Sequence, residues 1–368
     1  MSRAATKSAS EDTTTGLTAV SLFSGAGGLD IGFERAGFTI LFANEFDHDA
    51  ANTWRANRRN SDVLVEGDIN DHLNTLRQFA GKTEVLFGGP PCQGFSVAGK
   101  MDPNDERSQL IWTFLDAVAI VRPKVFVMEN VKALASLDKW SDVRAGLVDR
   151  AEKLGYKVHY AVHHTAHYGV PQNRERVIFV GALHGDPHNF EQALTSRRAP
   201  APSTREVLLS VGQFGCPENP QTCTTNVSLA KHPVMRRSPY AGMLVNGAGR
   251  PINFNAYPPT LPATMGGNKT PIIDQYALDH PETRNWFETY HDGLLAGDVA
   301  PTSTVVPAHL RRLTLAEAAA IQTFPREYVF CGPKSKQYKQ IGNAVPACFA
   351  YAVATAVKDA FFNESSRP

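Results

Sequence analysis

Residues 18–45 constrain the fold more than any other part of the chain. An apolar run at 18–23 is typical of a buried strand, and a turn with three glycines follows it at 24–28. The turn leads into a helix that Gly37 can end in the left-handed conformation, and a second apolar run begins at once at 38–43. A strand, a helix and a strand in this order predict a βαβ unit, and therefore a parallel sheet in an α/β fold.

Two acidic residues follow predicted strands in this half of the chain. Glu45 lies just past the second strand, about 20 residues after the glycine turn, where an acid can accept hydrogen bonds from ribose hydroxyls. Because Asp30 replaces the last glycine of the dinucleotide pattern G-x-G-x-x-G, a nucleoside cofactor is favoured over a dinucleotide, with a purely structural glycine turn as the alternative. Asp68 follows the run 63–65, and it could hold an adenine amine or cap a helix.

Cys92 sits where a third apolar run, 85–87, is stopped by the glycines and prolines of residues 88–91. The carboxyl ends of strands face the ligand crevice in open α/β sheets, so a thiol at this turn is a candidate nucleophile. The alternative is an inert cysteine that only fills space in the core. The polar residues 93–100 that follow predict a mobile loop.

Further charged side chains flank two later apolar runs. Glu129 follows the run 124–128, where partial desolvation would suit it to proton donation; a helix cap or a surface acid is the alternative. Arg174 and Arg176 alternate just before the run 177–181, so they are expected on the same side of a strand, oriented to bind a carboxylate or a phosphate, unless they are solvated edge charges.

Composition indicates a soluble, intracellular protein of roughly two domains. Five cysteines without a dense spacing argue against a disulfide scaffold, residues 1–16 lack the apolar core of a signal peptide, and no run is long enough to span a bilayer. We therefore predict a cytoplasmic protein with a disordered tail at 1–16. His163, His164 and His167 have no acid or cysteine at a recognised ligand spacing, so no metal is predicted.

The region after residue 185 is rich in proline, glycine and small polar residues, which predicts a domain boundary there. The net charge of +1 does not indicate a nucleic-acid binder, but residues 231–273 contain no acid. This segment has five basic residues: Lys231, Arg236, Arg237, Arg250 and Lys269. Such a composition suits contacts to DNA, with a solvated loop region as the alternative. Further on, Thr314 and Glu317 predict a capping box, and the preceding pair Arg311 and Arg312 could meet a backbone phosphate.

In this order, these elements resemble the DNA cytosine-C5 methyltransferase family over nearly the whole chain outside the tail and the basic segment. The blocks that carry the resemblance are 23–28 (FSGAGG), 44–45 (NE), 67–69 (GDI), 89–96 (GPPCQGFS), 129–131 (ENV), Gln172 with Arg174 and Arg176, 312–314 (RLT), and 340–346 (QIGNAVP).

The resemblance implies an S-adenosylmethionine-dependent, Rossmann-like α/β fold with a mostly parallel sheet and a smaller inserted target-recognition domain. The catalytic domain would comprise residues 17–185 and 338–368, and the recognition domain residues 186–337. The sequence departs from the family at Asn173, where a second basic residue is common.

The resemblance also implies the reaction, methylation of cytosine C5 within a specific duplex DNA sequence. Cys92 would add to C6 of a flipped-out base, and Glu129 would hold N3 and assist its protonation. Arg176 would orient the base, with Arg174 in support. The base that removes the C5 proton is not identified.

Cofactor and DNA positions follow from the same matches. S-adenosyl-L-methionine would be converted to S-adenosyl-L-homocysteine. The positions that match cofactor-binding residues of the family are Phe23, Gly25, Ala26, Gly27, Gly28, Leu29, Glu45, Phe46, Asp68, Ile69, Pro90, Leu110, Asn343, Ala344 and Val345. DNA contacts are expected from Gln93, Ser96, Arg236, Arg237 and Arg250.

The expected setting is a prokaryotic cell in which the enzyme, as a monomer, protects double-stranded DNA, either alone or beside a restriction endonuclease for the same site. Three other functions are alternatives. A catalytically silent DNA-binding protein of the same fold would not need Cys92 and Glu129. A transfer-RNA cytosine-5 methyltransferase would have a much smaller recognition region. A nicotinamide oxidoreductase fits neither Asp30 nor Cys92.

Overall fold

A computed structural model describes residues 16–91, 106–301 and 304–363, with side chains in the second range from residue 109. The strands are β1 (Leu17–Leu22), β2 (Phe38–Glu45), β3 (Leu64–Glu66), β4 (Val85–Gly88), β5 (Val125–Val131), β6 (Lys157–His164), β7 (Glu175–Ala182), β8 (Leu229–Val234), β9 (Met243–Val245), β10 (Ile272–Asp274) and β11 (Leu310–Arg312).

The α-helices are α1 (Gly28–Arg35), α2 (His48–Ala56), α3 (Ile69–His72), α4 (Glu106–Val121), α5 (Lys132–Ser136), α6 (Ser141–Lys153), α7 (His188–Thr195), α8 (Thr204–Val211), α9 (Gln275–Asp279), α10 (Trp286–Ala296), α11 (Leu315–Ile321), α12 (Lys334–Asn343) and α13 (Ala347–Phe361).

The first seven strands form one sheet in the order β3-β2-β1-β4-β5-β7-β6. Strands β1 to β5 pair in parallel, whereas β7 runs antiparallel to both of its neighbours, β5 and β6. The mostly parallel α/β sheet expected from the sequence is confirmed. The reversal of β7 has a consequence for the site, because the beginning of β7, and not its end, lies beside the carboxyl ends of the parallel strands.

The sheet is covered on both faces, as parallel sheets require. Alternate side chains of β7 show the division: Ile178 and Val180 enter the core formed with α1, α7 and α13, while Val177 and Phe179 enter the core formed with α4 and α6. On the first face, the ring of Phe33 on α1 stacks on that of Phe87 on β4, with 3.9 Å between centroids.

The predicted helix boundaries near the sheet agree with the structure. Gly37 takes a left-handed φ of 93° directly after α1, and the terminal helix spans Ala347–Phe361 as expected. The domain boundary at residue 185 stays a prediction. In the structure, Phe190 and Leu194 of α7, just beyond that boundary, are buried in the core of the sheet together with α13.

The remaining elements form a second, mixed region. Two short antiparallel pairs, β8 with β9 and β10 with β11, are combined with α8 to α12. One core of this region contains residues of α8, α11 and α12 together with Ala26 and Ile31 beside the glycine turn, so the two regions pack directly against each other. The capping box predicted for Thr314 and Glu317 is present at the start of α11.

The hypothesis that Arg311 and Arg312 meet a DNA phosphate is wrong. The guanidinium of Arg311 is buried against the carboxylate of Glu317, with Nη2 and Oε1 2.6 Å apart. Arg312 is also buried, and its Nη1 donates to the carbonyl of Thr270 at 2.9 Å. Both arginines therefore tie this second region together from the inside, and neither can reach DNA.

One stretch, Lys334–Phe361, has the length and composition of a membrane-spanning helix. In the structure it is divided into α12 and α13 by residues 344–346, and 61% of its most apolar window is buried. The apolar side chains of α13 pack mainly in the core of the sheet, and those of α12 pack in the core of the second region. The apolar composition of this stretch is therefore that of core helices.

The packing of α1 on α13 makes Gly32 a sensitive position. A Cβ at Gly32 would overlap the backbone of Ala350. We expect Gly32→Ala to lower the free energy of unfolding by about 1–3 kcal/mol, the usual cost of overpacking, although alanine favours a helix by about 1 kcal/mol. Urea denaturation measures the change. Gly146→Ala in α6 is the control, because a Cβ there meets only the edge of the Trp112 ring at 3.0 Å. Equal stability of both variants would contradict the expectation.

Candidate active site

The site lies at one edge of the sheet, where the parallel strands end and β7 begins. The ends of β1 and β2 bring Phe23 and Glu45 to this edge, and β4 and β5 bring Gly89 and Glu129. Arg176 lies at the same edge because β7 is antiparallel to β5, so the beginning of β7 is beside the end of β5. In this register Arg176 is opposite Val131. Sequence-distant charged groups are thereby collected around one crevice.

The glycine turn after β1 is shaped by backbone conformations that favour glycine. Gly25 and Gly27 have φ of 55° and 84°, and Phe23 takes a φ of 55° that is uncommon for a side chain of its size. The amide of Gly25 donates to Oε2 of Glu45 at 2.7 Å, and the amide of Asp47 donates to Oε1 at 2.8 Å. The carboxylate is therefore fixed at the mouth of the turn, with lone pairs left for a ligand. Burial raises the pKa of Glu45.

Three further predicted cofactor positions have side chains that are not fully buried. Phe46 is 73% exposed, which is unusual for a phenylalanine and leaves its ring beside Glu45 open to a ligand. Asp68 is half-buried and caps α3, its Oδ1 accepting from the amide of Asn70 at 2.9 Å, so the alternative predicted for it is realised. Leu110 on α4 is also half-buried.

Other matched positions hold the turn in place from behind. Ala26, Leu29 and Ile69 are buried in the hydrophobic cores. Gly28 lies against the segment 344–345, because a Cβ there would overlap the carbonyl oxygen of Val345.

Sequence reasoning missed two residues that support the glycine turn. The guanidinium of Arg58 fills the space where a Cβ of Gly27 would lie, and the hydroxyl of Tyr328 donates to the carbonyl of Ala26. Arg58 is itself paired with Glu34, Nε to Oε1, at 2.7 Å. Burial raises the pKa of Tyr328 to about 12, so its hydroxyl remains a donor. Neither residue lies near the glycine turn in the sequence, and only the packing reveals them.

The centre of the crevice is an ion pair between two predicted catalytic residues. Nε of Arg176 lies 2.8 Å from Oε1 of Glu129, and both side chains are largely buried. A Cβ at Gly89 would lie 3.0 Å from Oε2 of Glu129, so the absence of a side chain at Gly89 keeps this second oxygen accessible. Arg176 thus holds Glu129 through Oε1, and Oε2 has space beside Gly89 for a ligand.

The turn before Cys92 is anchored to the same strand. Nδ2 of Asn130, the residue after Glu129, donates to the carbonyl of Pro90 at 3.2 Å, and Pro90 is buried. Pro91 is the last residue described before a gap in the structure, and Cys92 comes next in the sequence. Cys92, Gln93, Ser96 and the loop predicted at 93–100 lie outside the described residues.

Arg174 does not point at the same partner as Arg176. It is buried, and its guanidinium donates to the carbonyls of Gly342 and Ala344, at 3.1 and 2.8 Å. Arg174 therefore holds the segment that carries the predicted cofactor positions Asn343, Ala344 and Val345. Of these three residues, Asn343 is exposed and Val345 is buried.

The predicted DNA contacts Arg236, Arg237 and Arg250 are all exposed, as are Lys231 and Lys269. Within the described part of the chain, none of the five side chains forms an ion pair. Nor do the described histidines, cysteines and acids include a group of three that could hold a metal ion.

Comparison with known proteins identifies the chain. The family model of C-5 cytosine-specific DNA methylases matches residues 17–359. The Type II methyltransferase M1.HphI of Haemophilus parahaemolyticus is 35% identical over 95% of this chain and 88% of that protein. The Type II methyltransferase M.PspPI of a Psychrobacter species is 34% identical over 92% of this chain and 78% of that protein.

Solved structures of methyltransferases share the fold. The S. pombe Dnmt2 methyltransferase aligns with a TM-score of 0.59 and 14% identity, over 94% of this chain and all of that chain. The Entamoeba histolytica methyltransferase EhMeth aligns with a TM-score of 0.62 and 14% identity, over 95% and 100%. The Rossmann-like methyltransferase fold expected from the sequence is confirmed, and the chain belongs to the C-5 cytosine-specific DNA methylases, which are S-adenosylmethionine-dependent enzymes.

Proposed function

We propose that this protein methylates C5 of a flipped-out cytosine in a specific duplex sequence, using the residues gathered in the crevice. The observation that carries the assignment of roles is the buried pair of Glu129 and Arg176 beside Gly89, three residues before Cys92. A carboxyl group held by an arginine and open at one oxygen suits a ring that must be bound and protonated at N3.

The crevice fits S-adenosylmethionine at its other end. Glu45 is already oriented by two backbone amides and can accept the ribose hydroxyls, while the exposed ring of Phe46 offers a surface for an adenine. Asp68 has acceptor capacity beyond its helix cap for the adenine amine. When bound, the cofactor supplies an electrophilic methyl group.

The chain's own residues have to make cytosine C5 nucleophilic. The Cys92 thiolate adds to C6 of the ring, and Glu129 donates a proton toward N3 as this bond forms, which moves the electron pair toward C5. Arg176 keeps the carboxyl in position through Oε1, so Oε2 is the atom that faces the ring. After C5 is methylated and has lost its proton, elimination of Cys92 restores the aromatic ring.

Extrusion of the target base is required by this chemistry. C6 is inaccessible to a thiolate inside a stacked duplex, so the nucleotide must leave the helix, at a cost of a few kcal/mol. Contacts between exposed cationic side chains and DNA phosphates can offset this free energy.

Methylation of duplex DNA tests both the reaction and the role of Glu129. Incubation with duplex DNA and S-adenosylmethionine, followed by bisulfite sequencing, should reveal methylcytosine at one recurring sequence. We expect Glu129→Gln to lower the turnover rate by about 10²-fold or more, because it removes the proton donor while DNA binding is retained. Glu175→Gln is the matched control, since Glu175 lies on the same strand as Arg176 but pairs with Lys132 on the surface. Methylation found only in transfer RNA would contradict the proposal.

The raised pKa of Glu45 predicts a pH-dependent affinity for the cofactor. A protonated carboxyl accepts fewer hydrogen bonds, so affinity for S-adenosylhomocysteine should fall as the pH is lowered through this raised pKa, at a higher pH than an ordinary glutamate would give. Glu45→Gln should weaken binding by about tenfold or more at neutral pH and remove this dependence. Calorimetric titration measures both effects. Glu66→Gln, on the neighbouring strand and paired with Arg55, should leave them unchanged.

Two tight turns form the candidate DNA-reading surface of the recognition region. The turn at 246–249 packs on the turn at 266–269, where the amide of Gly249 donates to the carbonyl of Asn268 at 3.0 Å. Arg312 supports both from inside through Thr270. Arg250 and Lys269 extend this surface with exposed positive charge, and the amides of Asn246 and Asn268 suit base edges.

The salt dependence of DNA binding tests this surface. Removal of one phosphate contact by Arg250→Ala should reduce the slope of log affinity against log salt by about 0.9. Arg284→Ala is the control, because Arg284 is exposed but already paired with Glu288 and Asp292. An unchanged slope in Arg250→Ala would exclude a phosphate contact by this arginine.

The biological role follows from the relatives, which are named Type II methyltransferases. Methylation at a defined sequence would protect DNA from a restriction endonuclease that cuts the same site. The enzyme would act as a monomer in the cytoplasm of a prokaryotic cell, bound to the nucleoid through its substrate.

A further inference from the structure

We propose that Gln172 and Gln322 form a buried positioning pair that couples cofactor binding to DNA recognition. The inference rests on the proposed function and adds a physical connection between its two binding surfaces. The two side chains are completely buried, and Nε2 of Gln172 donates to Oε1 of Gln322 at 2.7 Å. They lie 150 residues apart in the sequence, at the junction of the sheet with the recognition region.

On one side, the pair holds the segment that leads into the DNA-reading turns. Oε1 of Gln172 accepts from the amide of Leu261 at 2.9 Å. The neighbouring Asn173 binds the same segment, its Nδ2 donating to the carbonyl of Tyr257 and its own carbonyl accepting from Oγ1 of Thr260. Residues 257–261 are therefore fixed to the beginning of β7, five residues before the turn at 266–269.

On the other side, the pair holds the segment that closes on the glycine turn. Nε2 of Gln322 donates to the carbonyls of Ile341 and Ala344, at 2.7 and 2.9 Å. Arg174 binds the carbonyl of Ala344 as well, and Val345 next to it lies directly against Gly28. Displacement of this segment would alter the cofactor crevice.

The hydrogen-bond pattern leaves only one orientation for each amide. The amide of Leu261 can only donate, so it must meet the oxygen of Gln172, whose nitrogen then faces Gln322. The oxygen of Gln322 accepts that bond, and its nitrogen meets two carbonyls, which can only accept. Rotation of either amide would place like groups against each other at both ends. The pair therefore links the placement of residues 257–261 to that of residues 341–344.

This arrangement gives a coupling between ligands. DNA that orders residues 257–269 favours the geometry of 341–345 in which Val345 lies against Gly28, and a bound nucleoside favours the same geometry from its own side. Because coupling free energies are reciprocal, each ligand raises the affinity of the protein for the other ligand by the same factor.

The coupling is measured as the affinity for S-adenosylhomocysteine with and without a duplex that carries the mapped site. We expect the duplex to tighten binding in the wild type by about fivefold or more, and by less than about twofold in Gln172→Met, which keeps the size of the side chain but breaks both bonds. Gln340→Met is the matched control. Gln340 is a buried glutamine that also bonds one side chain and one carbonyl, those of Thr53 and Cys331, and neither partner belongs to residues 257–269. It should lose stability and keep the full coupling.

A second variant protects the test against misfolding. Asn173 is exposed, so Asn173→Ala should fold while releasing Tyr257, and its coupling should fall between the wild type and Gln172→Met. The proposal would be overturned if folded Gln172→Met kept the coupling of the wild type. If Gln172→Met does not fold, the same result in Asn173→Ala would overturn it. Absence of coupling in the wild type would also overturn it. Failure to bind either ligand would instead contradict the proposed function, so the two failures are distinguishable.

Discussion

The antiparallel pairing of β7 with β5 is the constraint on which the rest of the site depends. In a purely parallel sheet, the residues before a strand lie at the edge opposite the ligand crevice. Because β7 is reversed, residues 172–176 enter the crevice edge instead, and Arg176 reaches Glu129 on β5. A single reversed strand thereby supplies the arginine that pairs with Glu129, the support of segment 342–344 through Arg174 and the contact of Gln172 with Leu261 in the second region.

Buried polar groups in this protein stabilise the junctions between elements more than the elements themselves. Arg174, Gln172 and Gln322 are all buried, and each binds a segment far away in the sequence. Leaving one such group unpaired costs about 1–3 kcal/mol, more if it is charged, so these contacts discriminate strongly against alternative placements of the recognition region. Close packing, as between Gly32 of α1 and Ala350 of α13, joins these two helices with less directional specificity.

Sequence reasoning succeeded where chemistry and local geometry coincide. The glycine turn before Glu45 was predictable because a left-handed turn needs glycine. Glu129 was expected after the end of a strand, but β5 continues to Val131, and the carboxylate is buried within the strand because Arg176 pairs with it. The interpretation of Arg311 and Arg312 as phosphate ligands failed for the opposite reason. Two adjacent arginines look alike in the sequence whether they face solvent or a buried acid. Glu317 could be recognised as the partner of Arg311 only after α11 had been placed against β11.

By itself, the sequence determined the strands of the main sheet, the conformations that require glycine and the types of reactive group, since these follow from local periodicity and from side-chain chemistry. Only the tertiary structure decided which of those groups meet. Arg58 and Tyr328 behind Gly27, and Gln322 beside Gln172, come together from distant positions because two sheet cores and a third core at the junction pack in one arrangement. The pairing of distant polar groups is a property of that packing, and no local pattern in the chain records it.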